Sequence, residues 1–277
     1  MINRQFSVAM SVYRNDNPLY FRRALESIIE KQSERPAEIV LVVDGPIGVE
    51  LNAVIDEYSS KHDIFKLIRL EKNAGLGNAL RIAVENASNE LVARMDSDDI
   101  ALETRFEEQL NFFSENSDVD IVGGDISEFV GEEDNIVAYR KVPKTDFEIK
   151  EYLKRRCPLN HVSVMFKKSA VKKAGGYLDL FWNEDYYLWI RMAECNALMA
   201  NTGTVLVNVR TGADMYQRRG GKKYYKSEKF LQKYMLERKM IGRLTYFSNL
   251  SKRFIIQRLL PNKLRGWVFR TFARKGS

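Results

Sequence analysis

Apolar residues alternate between two rhythms over the first hundred positions. Phe6–Val12 and Glu38–Val43 are short, nearly continuous apolar runs, which predict buried strands. Residues 65–70 and 91–95 predict a third and a fourth strand. Between them, residues 18–32 carry Leu19, Leu25, Ile28 and Ile29 at helical spacing, and residues 49–58 and 76–87 predict two more helices. Apolar strands separated by helices predict a mostly parallel α/β sheet covered on both faces, and right-handed crossovers make it Rossmann-like.

The rhythm changes after residue 100. A helix is expected over 104–116, a strand over 119–122 and a hairpin over 126–140 around the polar run 131–135. Residues 162–166 predict a strand, 169–174 a short helix closed by Gly175-Gly176, 184–196 a helix, and 204–209 a last strand. There is no internal repeat and no Pro/Ser-rich linker before about residue 215. Residues 1–214 therefore read as one domain, followed by a basic helical tail over 215–277.

Charge sharpens that boundary. Residues 1–214 hold 26 Lys and Arg against 35 Asp and Glu, a balance of −9, whereas residues 215–277 hold 18 basic residues and two acids, a balance of +16. A basic tail interleaved with Tyr224, Tyr225, Phe230, Tyr234, Phe247, Phe254, Trp267, Phe269 and Phe272 suits an anionic membrane surface. Nucleic acid would attract the same charge, and a plain packing appendage is the third reading; no nucleic acid is expected. No run approaches the ~18 apolar residues of a membrane span, and the start has no signal-peptide architecture. Cys157 and Cys195 cannot build a disulfide framework or a cysteine-based zinc site, and with only His62 and His161 besides, any metal should be a hard cation held by carboxylates.

In open α/β sheets ligands bind beyond the carboxyl ends of the strands. Those ends carry Tyr13 after the first strand, Asp44 after the second, Asn73-Ala-Gly-Leu-Gly77 after the third and Asp96-Ser-Asp-Asp99 after the fourth. Asp96 and Asp98 suit Mg²⁺ or Mn²⁺ against a diphosphate; alternatively they are turn and cap residues. Asp44 is either a turn residue or an acceptor for a base N–H, and Tyr13 either stacks on that base or packs on the first helix. Gly75 and Gly77 open a helix whose free N–H groups can face an anion, but the run is neither GxGxxG nor a GxxxxGK[ST] loop.

The ordered set Val8-Ala-Met-Ser-Val-Tyr13, Asp44, Asn73–Gly77 and Ala93-Arg-Met-Asp-Ser-Asp-Asp-Ile100 resembles glycosyltransferase family 2, of the GT-A fold. Asn160-His-Val-Ser-Val-Met-Phe166 and Asn183-Glu-Asp-Tyr-Tyr-Leu-Trp189 extend the resemblance, which covers residues from about 6 to about 212. Similar in kind are the bacterial enzymes of exopolysaccharide, capsule and O-antigen synthesis, such as amylovoran-type galactosyltransferases. The resemblance implies a nucleotide-binding half over about 1–100 and an acceptor half over about 101–214. It implies that Ser11, Tyr13, Asp44, Gly75, Gly77 and Asp96 bind a nucleotide-sugar, usually UDP-linked, and that Asp98 with Asp96 binds Mn²⁺ or Mg²⁺. Asp99 would assist. Of the pair Glu184-Asp185, the family pattern favours Asp185 as the general base.

Displacing a nucleoside diphosphate from an anomeric carbon needs charge neutralisation at the leaving group and a carboxylate to deprotonate the incoming hydroxyl. A metal and a base on opposite sides of the sugar imply inversion. The acceptor would be a glycan or a polyprenyl-diphosphate-linked sugar, at the cytoplasmic face of the membrane. His161 is either a structural histidine or an acceptor-side or metal contact, and Arg218-Arg219 either a solvated loop or a clamp on the diphosphate. Relatives that place a metal-binding histidine near residue 211 differ from Thr211-Gly-Ala-Asp214, where Asp214 is the nearest substitute. Two competing classes are a sugar nucleotidyltransferase, disfavoured because Tyr13-Arg-Asn-Asp-Asn-Pro18 lacks glycine, and a non-catalytic membrane or nucleic-acid binding module, disfavoured by the intact acidic set.

Overall fold

The computed structural model describes residues 4–212 and 221–259. The strands β1 (Phe6–Val12), β2 (Glu38–Val43), β3 (Phe65–Arg69) and β4 (Leu91–Met95) run parallel in the order β3-β2-β1-β4. Their crossovers are α1 (Pro18–Ile29), α2 (Val49–Lys61) and α3 (Leu76–Asn86). Phe6, Val8, Met10 and Val12 of β1 and Ile39, Leu41 and Val43 of β2 enter one core, while Ala9, Val40 and Val42 enter the other. Burial on both faces is why these strands show no polar alternation. By contrast β3 lies at the sheet edge, where its residues are half-buried or exposed. Asn17 starts α1 by accepting from the amides of Leu19 (2.9 Å) and Tyr20 (3.3 Å), with Pro18 in the first turn.

The second half comprises β5 (Ile100–Ala101), α4 (Arg105–Glu115), β6 (Ile121–Phe129), β7 (Ile136–Arg140), α5 (Asp146–Leu153), β8 (Met165–Lys167), α6 (Lys168–Lys173), α7 (Glu184–Glu194) and β9 (Met199–Arg210). The sheet continues from β4 through β8, β6 and β9 to β5, with β7 paired antiparallel to β6. Because β8 is antiparallel to both β4 and β6, a parallel half passes into a mixed half.

Three local differences from the sequence reading have physical causes. The strand expected over 162–166 is reduced to β8 behind a 3₁₀ turn, His161–Ser163. There Ser163 Oγ donates to the Asn160 and Gly124 carbonyls and accepts from the Gly124 amide, a side-chain alternative to strand pairing. The strands expected over 119–122 and 204–209 extend to nine and twelve residues, because β6 and β9 pair along their whole length. Missing from that reading is α5, which spans only eight residues and starts with a reciprocal capping box between Thr145 and Glu148.

The basic segment is helical, as α8 (Lys222–Glu237) and α9 (Arg243–Phe254), with a π turn at Ile255–Leu259. Its described part is docked on the body. Leu231 and Met235 of α8, with Ile241 beyond it, join the core formed by Tyr186, Trp189 and Ile190 of α7. Phe230 and Tyr234 meet the Tyr187 ring edge-on at 5.3 and 5.2 Å, and Tyr225 meets Phe254 at 5.7 Å. Those rings, expected at a membrane, therefore pack within the protein along part of their surface. Trp267, Phe269 and Phe272 lie outside the described residues, as do Asp214, Arg218 and Arg219. Among the described residues no helix is long and apolar enough to cross a membrane.

Candidate functional site

The four parallel strands bring their carboxyl ends to one rim. At its β1–β2 side the Asp44 amide donates to the Val12 carbonyl (2.8 Å), which sets Asp44 beside Tyr13. Tyr13 is exposed there, and Ser11 is half-buried on β1. Asp44 is buried and its carboxylate accepts from the amides of Ala74 (2.6 Å) and Gly75 (3.1 Å) and from Asn73 Nδ2 (2.9 Å). It thus ties the loop ahead of α3 to the rim, the turn-type role, with one lone-pair position left over. Gly45, at φ +87°, permits this approach: a Cβ there would stand 2.6 Å from the Asn73 amide nitrogen. Gly77 faces protein: a Cβ on it would lie 3.2 Å from Glu184 Cβ and 3.6 Å from Asp179 Cα. The first turn of α3 therefore sits against the first turn of α7.

At the end of β4 the Arg94 guanidinium, 3% exposed, forms a two-pronged ion pair with Asp96. Asp98 is exposed but hemmed in; desolvation and the charges of Asp96 and Asp16 raise its carboxyl to about 6. Asp99 is buried, accepts from the Arg210 amide (2.8 Å), and is pushed well up by burial and by Asp98. Asp16 completes the cluster. It accepts from the Tyr13 amide (3.1 Å) and Ser97 Oγ (2.8 Å), and burial raises it to about 6. Beneath, the fully buried Arg105 donates to the Arg94 carbonyl (2.6 Å), and burial with the charge of Arg94 lowers it to about 9.

The second acidic pair opens α7. Burial and the adjacent Asp185 push Glu184 up to about 7. Asp185 is also raised, by burial, while Arg140 and Arg94 act against the rise. One Asp185 oxygen accepts from the Tyr186 amide (2.6 Å), and the other faces Cys157 Sγ at 3.7 Å. Burial and Asp185 push the Cys157 thiol up, so it stays protonated and can donate. Arg94 lies within electrostatic reach of Asp96, Asp98, Glu184 and Asp185 alike, so the fold brings the two acidic pairs to one centre around a buried cation. His161 bonds Tyr177 Oη through Nε2 (2.9 Å) and is held neutral by burial and by Arg94.

The sequence reading assigned no part to Arg94, Arg105, Asp16 or Cys157. Only Arg94 carried a signal, as a cation inside an otherwise apolar strand, Leu91-Val-Ala-Arg-Met95. The donor set fits a hard divalent cation: carboxylate oxygens of Asp98 and Asp96 with like charges crowded around them. Among the described residues no three His, Cys, Asp or Glu side chains form a ready cage. A cation here would take its remaining ligands from water and a donor diphosphate.

Comparison with known proteins identifies the family. The family described as glycosyl transferase family 2 matches residues 7–174. A glycosyltransferase of Haemophilus influenzae is 40% identical over 98% of this chain and 100% of its own length. The UDP-Gal:alpha-D-GlcNAc-diphosphoundecaprenol beta-1,3-galactosyltransferase of Escherichia coli is 36% identical over 98% of this chain and 97% of its own. The amylovoran biosynthesis glycosyltransferase AmsE of Erwinia amylovora is 35% identical over 95% and 97%. Among solved structures, S. aureus TarS in complex with UDP-GlcNAc matches with a TM-score of 0.65 at 18% identity, over 91% of this chain and 72% of that one. Against a longer TarS structure the chain spans 43% of the length, with a TM-score of 0.64. TarS supports the fold, and the family match with the full-length relatives shows the family: the chain is a glycosyltransferase and belongs to family 2.

Proposed function

We propose that the chain transfers a hexose, with inversion, from a UDP-sugar to a lipid-linked sugar diphosphate during synthesis of a bacterial surface polysaccharide. The observation that carries this reading is the meeting of two unlike acidic pairs around Arg94. The Asp96–Asp98 side suits a diphosphate with its cation. The Glu184–Asp185 side offers carboxylates raised toward neutrality, suited to exchanging a proton. The TarS complex with UDP-GlcNAc and the undecaprenol-linked acceptor named for the E. coli relative support the substrate classes.

Asp185 takes the proton of the acceptor hydroxyl as its oxygen attacks the anomeric carbon, and the sugar–phosphate bond breaks on the opposite face. Asp98 and Asp96 would hold Mn²⁺ or Mg²⁺, which when bound would neutralise charge on the departing diphosphate. Arg94 fixes the orientation of Asp96 through its two-pronged ion pair. Tyr13 borders the base, and Asp44 holds the loop beside it.

The enzyme works at the inner membrane face. Leu244, Phe247, Phe254 and Ile255 are exposed at helical spacing on and just after α9, while Asn249 on the far side is buried and donates to the Lys154 carbonyl (2.9 Å). Arg243 and Lys252 are exposed on the same helix. That apolar stripe with cations fits an anionic lipid surface. Truncation of the segment would breach the core at Leu231 and Met235, so the test is L244E/F247E, which should release the protein from phosphatidylglycerol vesicles in co-sedimentation. Full retention of the double variant would remove the stripe from the reading.

The decisive experiment is UDP release from a panel of UDP-hexoses, with Mn²⁺ or EDTA, with and without a synthetic GlcNAc-α-diphosphoryl-alkyl acceptor. Acceptor-stimulated, EDTA-sensitive release is expected. Activity untouched by EDTA would overturn the metal, and release from no UDP-hexose would overturn the donor class.

A further inference from the structure

The loop ahead of α7 has a strained and unusually exposed aromatic residue. Trp182 sits at φ +58°, a left-handed conformation that bulky side chains rarely adopt. Strain of this kind persists where surrounding structure enforces it, and it clusters at ligand sites. Here the enforcement is visible. The Asn183 amide donates to the Leu180 carbonyl (2.9 Å), and the buried Asn183 side chain donates to Ser227 Oγ on α8 (2.9 Å). On the other flank Asp179 lies against Gly77 of α3. The backbone is clamped on both sides of Trp182, yet its indole is 49% exposed, with the neighbouring Phe181 ring 44% exposed and edge-on to it at 5.9 Å. The indole is thus held on a fixed backbone with about half of its surface in solvent. One turn of chain later stand Glu184 and Asp185.

Lys223 adds a second observation. Its ammonium is 5.9 Å from the Phe181 ring centroid and its side chain is exposed at the start of α8. An aromatic face and a cation therefore adjoin each other beside the catalytic pair.

We propose that Trp182, backed by Phe181, is the platform on which the acceptor's terminal sugar ring stacks, and that Lys223 pairs with the diphosphate that follows this sugar. The partner is a sugar diphosphate ester, so the inference rests on the acceptor class proposed above. A pyranose presents an apolar C–H face, which suits an aromatic ring held rigidly, and a lysine suits a flexible phosphate as a point charge. A stacked ring brings the acceptor hydroxyl to Asp185 in a fixed orientation. Trp182 and Lys223 are thus specificity-determining residues of the acceptor side.

The test uses the full chain, UDP-hexose, Mn²⁺ and the synthetic GlcNAc-α-diphosphoryl-alkyl acceptor, with a simple GlcNAc alkyl glycoside for comparison. Trp182→Gly removes the ring and also the strain, because glycine occupies this conformation freely. Its melting temperature should equal or exceed that of the parent, while the acceptor KM rises about tenfold or more and the donor KM stays within about twofold. Trp182→Phe, which keeps a ring, should recover most of the acceptor affinity. Lys223→Ala should raise the KM for the diphosphate acceptor and leave that of the simple glycoside unaltered. A Trp182→Gly protein with unchanged acceptor KM, or with a lowered melting temperature and both KM values unchanged, overturns the platform. Equal effects of Lys223→Ala on both acceptors overturn the diphosphate contact. Should the parent protein release UDP yet transfer to neither acceptor, the acceptor class proposed above fails and this inference falls with it.

Discussion

The two acidic pairs are chemically alike and physically opposite. Asp96 is locked by the buried fork of Arg94, whereas among the described residues Glu184 and Asp185 have no cation in direct contact and are raised mainly by burial, Glu184 also by Asp185. Two similar acidic pairs thus meet unlike surroundings, one with an arginine fork, the other with a thiol and a backbone amide. The difference teaches that motif spacing alone does not fix the electrostatics of acidic residues; burial and the nearest partner do.

The harshest way to break the comparison is Asp98→Asn, which should reduce transfer by about 10³-fold or more while the fold survives, measured as UDP release at saturating Mn²⁺. Substantial activity in that variant would move the cation elsewhere. Asp185→Asn should lower turnover by ~10²–10⁴ with donor affinity nearly unchanged. If Glu184→Gln is the inactive one instead, the pair exchanges roles. Arg94→Met tests the contrast itself. It should cost about 10–100-fold in activity, through misoriented Asp96, and Arg94→Lys should restore only part of this because an ammonium cannot reproduce the fork.

The smallest effect is on stability. Glu184 is raised in the folded state, from 4.5 to about 7, so its neutral form is favoured by folding. Its contribution is intact below the unfolded value and is lost as pH rises through about 7. Glu184→Gln should therefore melt with the parent near pH 4 and above it at pH 8, the gap opening between about pH 5 and 7.5. A gap constant with pH would mean that the ionisation of Glu184 is not what separates the two proteins.

How much of this was legible beforehand follows from where each signal lives. The strand-tip residues Tyr13, Asp44, Asp96 and Asp98 could be placed together because strand order and chain direction put all four on one rim. The joining of that rim to Glu184-Asp185 is a packing event: α3 meets α7 through Gly77, and nothing in the local sequence announces it. Arg105 reads as an ordinary first-turn helix residue until its guanidinium is seen beneath β4. Asp16 reads as a loop acid until Ser97 meets it across the sheet. The capping box at Thr145 and Glu148 was visible in principle but belongs to a helix too short for periodicity to register. The basic segment was legible only as a set of alternatives because its aromatic residues are divided: some pack on Tyr187, while Phe247 is exposed.

The placement of Leu231 and Met235 inside the second core also bears on how the chain is made. Strands β1 to β4 and their helices hold contacts that become available early as the chain leaves the ribosome. The core around Trp189 lacks two of its fillers until residues beyond 235 have emerged. Residues beyond 230 thus enter as a plug into a nearly finished core, a late, long-range step of the kind that slows folding and exposes apolar surface meanwhile. A ribosome that stops short of α8 would leave a chain with both acidic pairs of the site and an unsealed core.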